Sequence, residues 1–306
     1  MISLAPGFAA AHDVPIPYME RTRRYYGAFG YAPYVWAHFA EVPFRRLTKP
    51  LAACRVALVT TAAPYQPGKG DQGPGAPYNA AAKFYQVYSG ASAEDHDLRI
   101  SHIAIDRKHT TAEDPAAYFP LPALRRAAAS GRIGSLAPRF HGLPTNRSHR
   151  TSLEQDCPEL VARCLADRAE AAILVPNCPV CHQSVSLAAR ALEENGIATV
   201  VMGSAKDIVE HAGVPRFLFS DFPLGNSAGR PRDPVSQSLT LDLALSLLEA
   251  APAARTTVQS PLRWSDDPAW KLDYCNIERL SAEEIARRRA EFERQKGIAR
   301  DLRSAS

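Results

Sequence analysis

Cys178 and Cys181, with an imidazole next to them at His182, are the densest group of reactive side chains in this 306-residue chain. A thiolate is both a nucleophile and a metal ligand, and a second thiol three positions on lies within disulfide reach. The group stands in the stretch AAILVPNCPVCHQSVSLAARALEENGIATVVM, residues 171–202. Residues 171–175 are a short apolar run ended by Pro176, and residues 197–202 are a second, β-branched run. Between them Val185, Ala188, Ala189 and Leu192 recur at helical spacing. The stretch therefore predicts a βαβ unit with parallel strands. Cys178 falls at the mouth of its helix, where unpaired backbone N–H groups and the positive end of the macrodipole favour a thiolate. Pro179 suits the first turn because its missing N–H costs nothing there.

Four chemistries use this cysteine spacing. Covalent haem attachment needs C-x-x-C-H, which residues 178–182 match, but such haem is attached outside the cytosol and no export signal is visible. Zinc would take Cys178, Cys181 and His182, with His102 or His141 as a further ligand, since no second C-x-x-C or H-x3-H pair exists. Thioredoxin-type exchange shares the strand, C-x-x-C, helix order and offers Pro215 ahead of a strand, although here the motif lies deep inside a longer chain. Nucleophilic redox catalysis on a small substrate is the fourth, with Cys181 resolving what forms on Cys178. Two buried thiols without chemistry are the plain alternative, because cysteine is often buried.

The elements that must hold this loop read as a three-layer α/β domain over residues 55–252, a largely parallel sheet with helices on both faces. An aromatic and basic arm, residues 1–54, precedes it, and a C-terminal extension with a charged helix, residues 253–306, follows. Residues 55–61 (RVALVTT) read as the first core strand, 98–105 as the next, carrying His102, and 133–137 and 216–220 as others. Arg139 and His141 fall in a loop. Helices are expected over 120–131, 153–167, 206–212, 233–251 and 281–303, with Cys157 and Cys164 as buried free thiols. The arm reads as a cover packed on the domain or a neighbouring subunit rather than a base-stacking surface. Gly68, Gly70, Gly73 and Gly75 match no phosphate-binding spacing, which makes residues 62–90 a flexible active-site loop or lid.

Loops that follow parallel strands gather at one edge of a doubly wound sheet. That gathers Thr60, Thr61, His102, Asp106, His141 and Asn226 with Cys178 and Cys181 as candidates for one substrate cleft. Arg139 and Arg230 are candidate carboxylate holders. With 36 basic against 32 acidic residues and 46% hydrophobic content, neither disorder nor a nucleic-acid partner is expected. Residues 171–189 lack acidic and basic side chains, but Pro176, Asn177, Pro179, His182 and Gln183 interrupt them, so a buried element rather than a membrane span is expected. The first residues show no signal-peptide pattern, which predicts a cytoplasmic location and no structural disulfides.

Further motifs occur in a fixed order: Val56 to Thr61 as V-A-L-V-T-T, Ser101-His102 with Asp106, Phe119-Pro120, the cysteine loop, Gly196-Ile197-Ala198-Thr199, and the loop Pro223 to Pro231. Together they resemble the selenoprotein B family of glycine, sarcosine, betaine and D-proline reductases, most closely the D-proline reductase selenoprotein subunit. There a selenocysteine-x-x-Cys-His run precedes a helix and a G-I-P-T strand. Cys178 occupies the selenocysteine position, Cys181 and His182 match directly, and the resemblance runs from about residue 54 to about residue 235. It implies a thiol-dependent reductase that cleaves a C–N bond of a small amino-acid-like substrate, with Cys178 as nucleophile, Cys181 as resolving thiol and His182 as proton partner or charge stabiliser. No cofactor is expected in this chain. The resemblance implies a pyruvoyl group on a companion subunit, a dithiol reductant protein, and either that companion or a homo-oligomer as partner. Sulfur in place of selenium gives an attacking group of higher intrinsic pKa. The alternative readings are a metal-binding or redox-sensing C-x-x-C module, with zinc as its metal, and a purely structural subunit.

Overall fold

Runs of Val, Ile, Leu and Ala that are apolar on both faces pack as buried parallel strands, and they form the centre of this molecule. The computed structural model describes residues 12–100, 102, 104–145 and 148–304. In chain order the strands are β1 (Arg55–Thr60), β2 (Ala63–Pro64), β3 (Tyr88–Ala91), β4 (Leu98–Arg99), β5 (Ser135–Leu136), β6 (Arg139–Gly142), β7 (Ala171–Val175), β8 (Ala198–Gly203), β9 (Arg216–Phe219) and β10 (Thr256–Gln259). The helices are α1 (Tyr18–Ala28), α2 (Leu121–Ala129), α3 (His149–Thr151), α4 (Cys157–Ala166), α5 (Pro179–Glu194), α6 (Lys206–Ala212), α7 (Pro234–Ala250) and α8 (Ala282–Ser304).

The main sheet runs β10-β9-β8-β7-β1-β6-β3, with β5 also on β1. Each of its pairs is parallel except β3 with β6. Strand alternation divides the core into two layers. Ala57, Val59, Ala172, Leu174 and Val201 meet α4 and α5 on one face. Val56, Leu58, Ile173, Val175 and Val200 meet α2 and α7 on the other. This is the three-layer α/β architecture expected from the sequence. Cys157 and Cys164 lie buried on α4 as free thiols.

β1 has β7 on one side and β5 and β6 on the other, so the connections leaving β1 and β7 part at a topological switch point. Register brings their ends together: Thr60 lies opposite Val175, and the Thr61 N–H donates to the Val175 carbonyl at 3.3 Å. The crevice between them holds the cysteine loop.

Two elements differ from expectation. Among the described residues of the expected strand 98–105, only Leu98 and Arg99 pair, and they do so antiparallel with β2 in a separate two-stranded sheet. Leu98, Ile100 and Ile105 are nevertheless buried in the core, so their apolar pattern reports packing beneath a loop. Ser101, part of the motif containing His102, lies outside the described residues. Arg139 and His141 sit in β6 rather than in a loop, because β3 pairs with that segment antiparallel. Gly142 is needed there, since a Cβ would fall 1.7 Å from the Tyr88 ring.

In α5, thirteen of its sixteen residues are buried, so an element must cover the face turned away from the sheet. Residues 31–46 of the arm do this. The Ala37 N–H donates to Gln183 Oε1 at 2.7 Å, Gln183 Nε2 donates to the Tyr34 hydroxyl, and the Arg45 N–H donates to Glu193. Arg190 stacks on the Phe39 ring, 3.9 Å from its centroid. α8 starts with the Ser281 hydroxyl accepting the Glu284 N–H at 3.1 Å. It returns along α1, where Phe292 packs on Tyr26 at 5.3 Å between ring centroids.

Candidate functional site

The switch point fixes the cysteine loop from both sides. β7 ends at Val175, and the Pro176 carbonyl accepts the Ser227 hydroxyl at 2.7 Å from the connection after β9. Asn177 is fully buried and donates through Nδ2 to the Thr61 hydroxyl at 3.1 Å. Cys178 is extended, with φ −138° and ψ 171°, and is the N-cap of α5, with Pro179 at the first helical position. Its sulfur accepts the Cys181 N–H at 3.3 Å. A thiol there does what Ser or Asp does at an ordinary cap, satisfying one of the helix's orphan donors.

Cys178 is 4% exposed and Cys181 0%. Cys178 stands in the wall of a cavity of about 640 Å³. Burial is the largest influence on both thiols and pushes both up. Against it, the Cys178 thiol, His102 and the Thr61 hydroxyl all favour a negative Cys181 sulfur and hold it well below the ordinary thiol value. Cys178 is pushed well above its ordinary value, because after burial its sulfur hydrogen-bonds to Cys181 and faces that charge. The Cys181 N–H and Lys83 pull the other way. Two sulfurs joined in this way titrate as a pair, losing a first proton readily and a second reluctantly.

His182 serves the backbone. Its Nδ1–H donates to the Cys178 carbonyl at 2.7 Å, and its Nε2 accepts the N–H groups of Ser204 at 2.9 Å and Ala205 at 3.1 Å. Both ring nitrogens are committed, the ring is fully buried, and burial drops its pKa to about 4. No nitrogen is left for the Cys178 sulfur. The ring instead ties the mouth of α5 to the end of β8. Gly203 permits this, since a Cβ there would lie 2.8 Å from the imidazole.

The other expected site residues divide. His102 and Thr61 join the cysteines, and His102 Nδ1 is buried with no hydrogen-bond partner among the described residues. Thr60 is buried alongside, its hydroxyl accepting the Ala62 N–H at 3.1 Å. Asn226 is fully buried, donating to the Pro223 carbonyl at 3.1 Å and accepting the Thr110 hydroxyl at 3.3 Å. It is thus taken up in shaping a loop. His141 is buried in β6, 2.9 Å from the Ser89 hydroxyl and 3.3 Å from Asp167, and burial drops its pKa to about 4. Asp106 lines a second cavity, of about 750 Å³, which shares the walls Tyr26, Tyr78, Ala104 and Phe292 with the first. Arg139 is paired with Asp167 at 2.7 Å, and Arg230 reaches the Arg263 carbonyl, so neither faces Cys178.

The cavity's outer walls were not foreseen as site residues. Tyr31, Tyr34 and Trp36 come from the arm, Tyr78, Asn79 and Ala82 to Tyr85 from the glycine-rich loop, His149 from α3, and Phe292, Lys296 and Ala299 from α8. Only the position of the glycine-rich loop after β1 signalled any of this.

Among the described residues no group of three or more His, Cys, Asp or Glu side chains is gathered to hold a metal ion. No helix among the described residues is long and apolar enough to cross a membrane. Fold and site together define an α/β protein with a free dithiol at the switch point of its sheet. In sequence the chain is similar to the D-proline reductase subunit gamma of Acetoanaerobium sticklandii, 29% identical over 220 residues, which are 71% of this chain and 88% of that protein. The resemblance to the selenoprotein B components is thereby borne out. No family model matches the chain, and no solved structure matches it.

Proposed function

We propose that the chain is the thiol-bearing component of a reductase that cleaves a C–N bond of a small amino-acid-like substrate. The observation that carries this reading is the Cys178 sulfur, capped by the Cys181 N–H and set in a cavity wall. Similarity to a reductase subunit supports it.

In this reading the Cys178 thiol passes its proton to the Cys181 sulfur, the Cys178 thiolate so formed attacks the substrate carbon, the C–N bond breaks, and the nitrogen leaves with its electron pair and takes that proton from Cys181. The Cys181 thiolate then attacks the Cys178 sulfur, the S–C bond breaks, and the carbon takes a proton. The sum is two thiols and one C–N bond converted to a disulfide, a C–H and an N–H, and a dithiol reductant protein restores the pair. His102 and the Thr61 hydroxyl steady charge on Cys181 during resolution. His182 is a positioning residue that holds the cap.

No acidic side chain lines the cavity among the described residues, which fits an amine held by other means, such as a carbonyl group supplied by a companion subunit. A pyruvoyl group there would draw electrons from the substrate nitrogen.

The test is turnover of candidate amino acids with excess dithiol, in the presence of the companion subunit where one co-purifies, with products identified by mass spectrometry. Cys178→Ser is expected to abolish product. Cys181→Ser is expected to stop after one event with substrate carbon still on Cys178. An active Cys178→Ser protein removes the proposal.

A further inference from the structure

Gln183 lies on α5 just beyond the cysteine cap, and its neighbours fix which way its amide points. The Ala37 N–H can meet only an acceptor, so the atom 2.7 Å from it is Oε1. Nε2 is then turned the other way, with one hydrogen for the Tyr34 hydroxyl at 2.7 Å and one for His149 Nε2 at 2.9 Å. A ring nitrogen that faces an amide N–H must be the bare one. The network therefore places the ring proton of His149 on Nδ1. Half-buried His149 lines the Cys178 cavity, and among the described residues no hydrogen-bond partner meets its Nδ1. Around it the backbone is unusual. Ser148 caps α3 by accepting the Thr151 N–H at 3.1 Å, and a π-helical stretch, Ser152–Asp156, stands between α3 and α4. Wide turns of this kind are rare and recur at functional sites.

We propose that His149 is a substrate-binding donor of the Cys178 cavity: its Nδ1–H binds an oxygen of the substrate, the carboxylate in an amino-acid-like molecule, and Gln183 is the positioning residue that sets its polarity. This rests on the reductase reading and says which end of the substrate that side of the cavity takes. An untethered imidazole samples both tautomers. Here the amide selects one before a ligand arrives, so binding needs no proton to move. The fixed polarity also discriminates. An ammonium presents only donors, and at His149 a donor would face a donor, so this wall accepts the oxygen end of the molecule and turns the amine away.

The full chain, with labelled histidine, is examined at pH 7.5 by long-range proton–nitrogen NMR, which separates the two neutral tautomers from each other and from the imidazolium. The resonance that disappears in His149→Asn identifies the ring. His149 is expected as the Nδ1–H tautomer, and Gln183→Glu, whose carboxylate accepts where the amide donated, is expected to move the proton to Nε2. Propionate is then titrated and should shift the His149 Nδ1 resonance. His149→Phe is expected to weaken propionate binding about tenfold, the scale of one hydrogen bond to a charged group. His149→Asn, whose amide nitrogen takes the place of Nδ1, should keep most of the affinity. An Nε2–H tautomer or an imidazolium in the unmodified chain overturns the proposal without depending on any variant, as does a His149 resonance that saturating propionate leaves in place. Neither readout needs turnover. The expected tautomer and propionate binding in a chain that reduces no amino acid remove the reductase reading alone, whereas turnover with a KM that His149→Phe does not raise removes this proposal alone.

Discussion

The Cys178 sulfur accepts the backbone N–H of Cys181 at 3.3 Å, so the second cysteine of the pair holds the first through its main chain as well as through its thiol. The charge of the pair follows from this. His102 and Thr61 favour a negative Cys181, while the Cys178 sulfur stands at the cavity, and one proton is shared between them. The first ionisation of the pair charges Cys181, so alkylation of Cys178 should rise only with the second, above the free-thiol value of about 8.5. Cys181→Ala removes the hydrogen bond and the charge that raise Cys178 and should bring that inflection down. Cys157 and Cys164, which burial pushes up to about 12, serve as internal controls that label slowly throughout. An inflection that Cys181→Ala does not move would remove the shared-proton account.

A second prediction concerns His182, whose role here is to hold backbone. His182→Ala strands the N–H groups of Ser204 and Ala205 and opens a void, which should cost about 2–4 kcal/mol. The pH dependence has a fixed sign. The folded pKa of about 4 lies below the unfolded value of about 6.5, so the unfolded chain takes the proton first. The neutral ring's contribution is complete above pH 6.5 and is lost as pH falls through 4. At pH 5 the intact protein should have given up about 2 kcal/mol of it, a loss that His182→Ala cannot show. Urea midpoints at pH 7.5 and 5 measure both, and parallel losses in the two proteins count against this role.

These two residues also show how far the sequence carried. Apolar periodicity on either side of Cys178 is local, so β7, α5 and β8 were legible, and Pro179 placed the sulfur at the helix mouth. What His182 bonds to was not legible, because Ser204 and Ala205 meet it only after β8 has paired with β7. The cavity walls failed for the same reason: Lys83, His149 and Phe292 are far apart in the chain and their local patterns say nothing of a common cavity. Leu98, Ile100 and Ile105 misled because burial outside the main sheet leaves the same apolar signature as burial in a sheet. His141 was recognised as a reactive type, but its partners Ser89 and Asp167 lie on other elements.

The strap over α5 yields a third prediction. Glu193 and Arg216 form a buried pair at 2.8 Å, with side chains 0% and 1% exposed. Thr199 adds its N–H at 2.6 Å and its hydroxyl at 2.9 Å to Glu193, and Arg216 donates to the Arg45 carbonyl at 2.6 Å. Glu193→Gln leaves a buried guanidinium uncompensated and should cost about 3–5 kcal/mol. Because Arg45 is tied to both partners, the strap should loosen as well, and trypsin should cut at Arg45 or Arg46 faster than in the unmodified chain. An unchanged cleavage rate would show that other contacts hold the strap.

Asp106 gives the opposite pH sign from His182. The residue is 3% exposed and its Oδ2 has no hydrogen-bond partner among the described residues. Burial raises its pKa to about 6, against the pull of His109 and the N–H groups of Lys108 and His109, while Asp273 pushes it further up. The folded value lies above the unfolded one of about 3.9, so the folded chain holds this proton more tightly. The stability contributed by the neutral acid is complete below about 3.9 and is lost as pH rises through 6. Above pH 6 a buried carboxylate must be carried, at a cost on the order of 2 kcal/mol. Asp106→Asn removes the charge but keeps the shape, so it should raise the urea midpoint at pH 7.5 and leave it nearly unchanged at pH 4. The same shift at both pH values would mean that Asp106 acts through its size and hydrogen bonds rather than its charge. A gain confined to the higher pH would make Asp106 a carboxylate kept in the wall of the second cavity at the expense of stability.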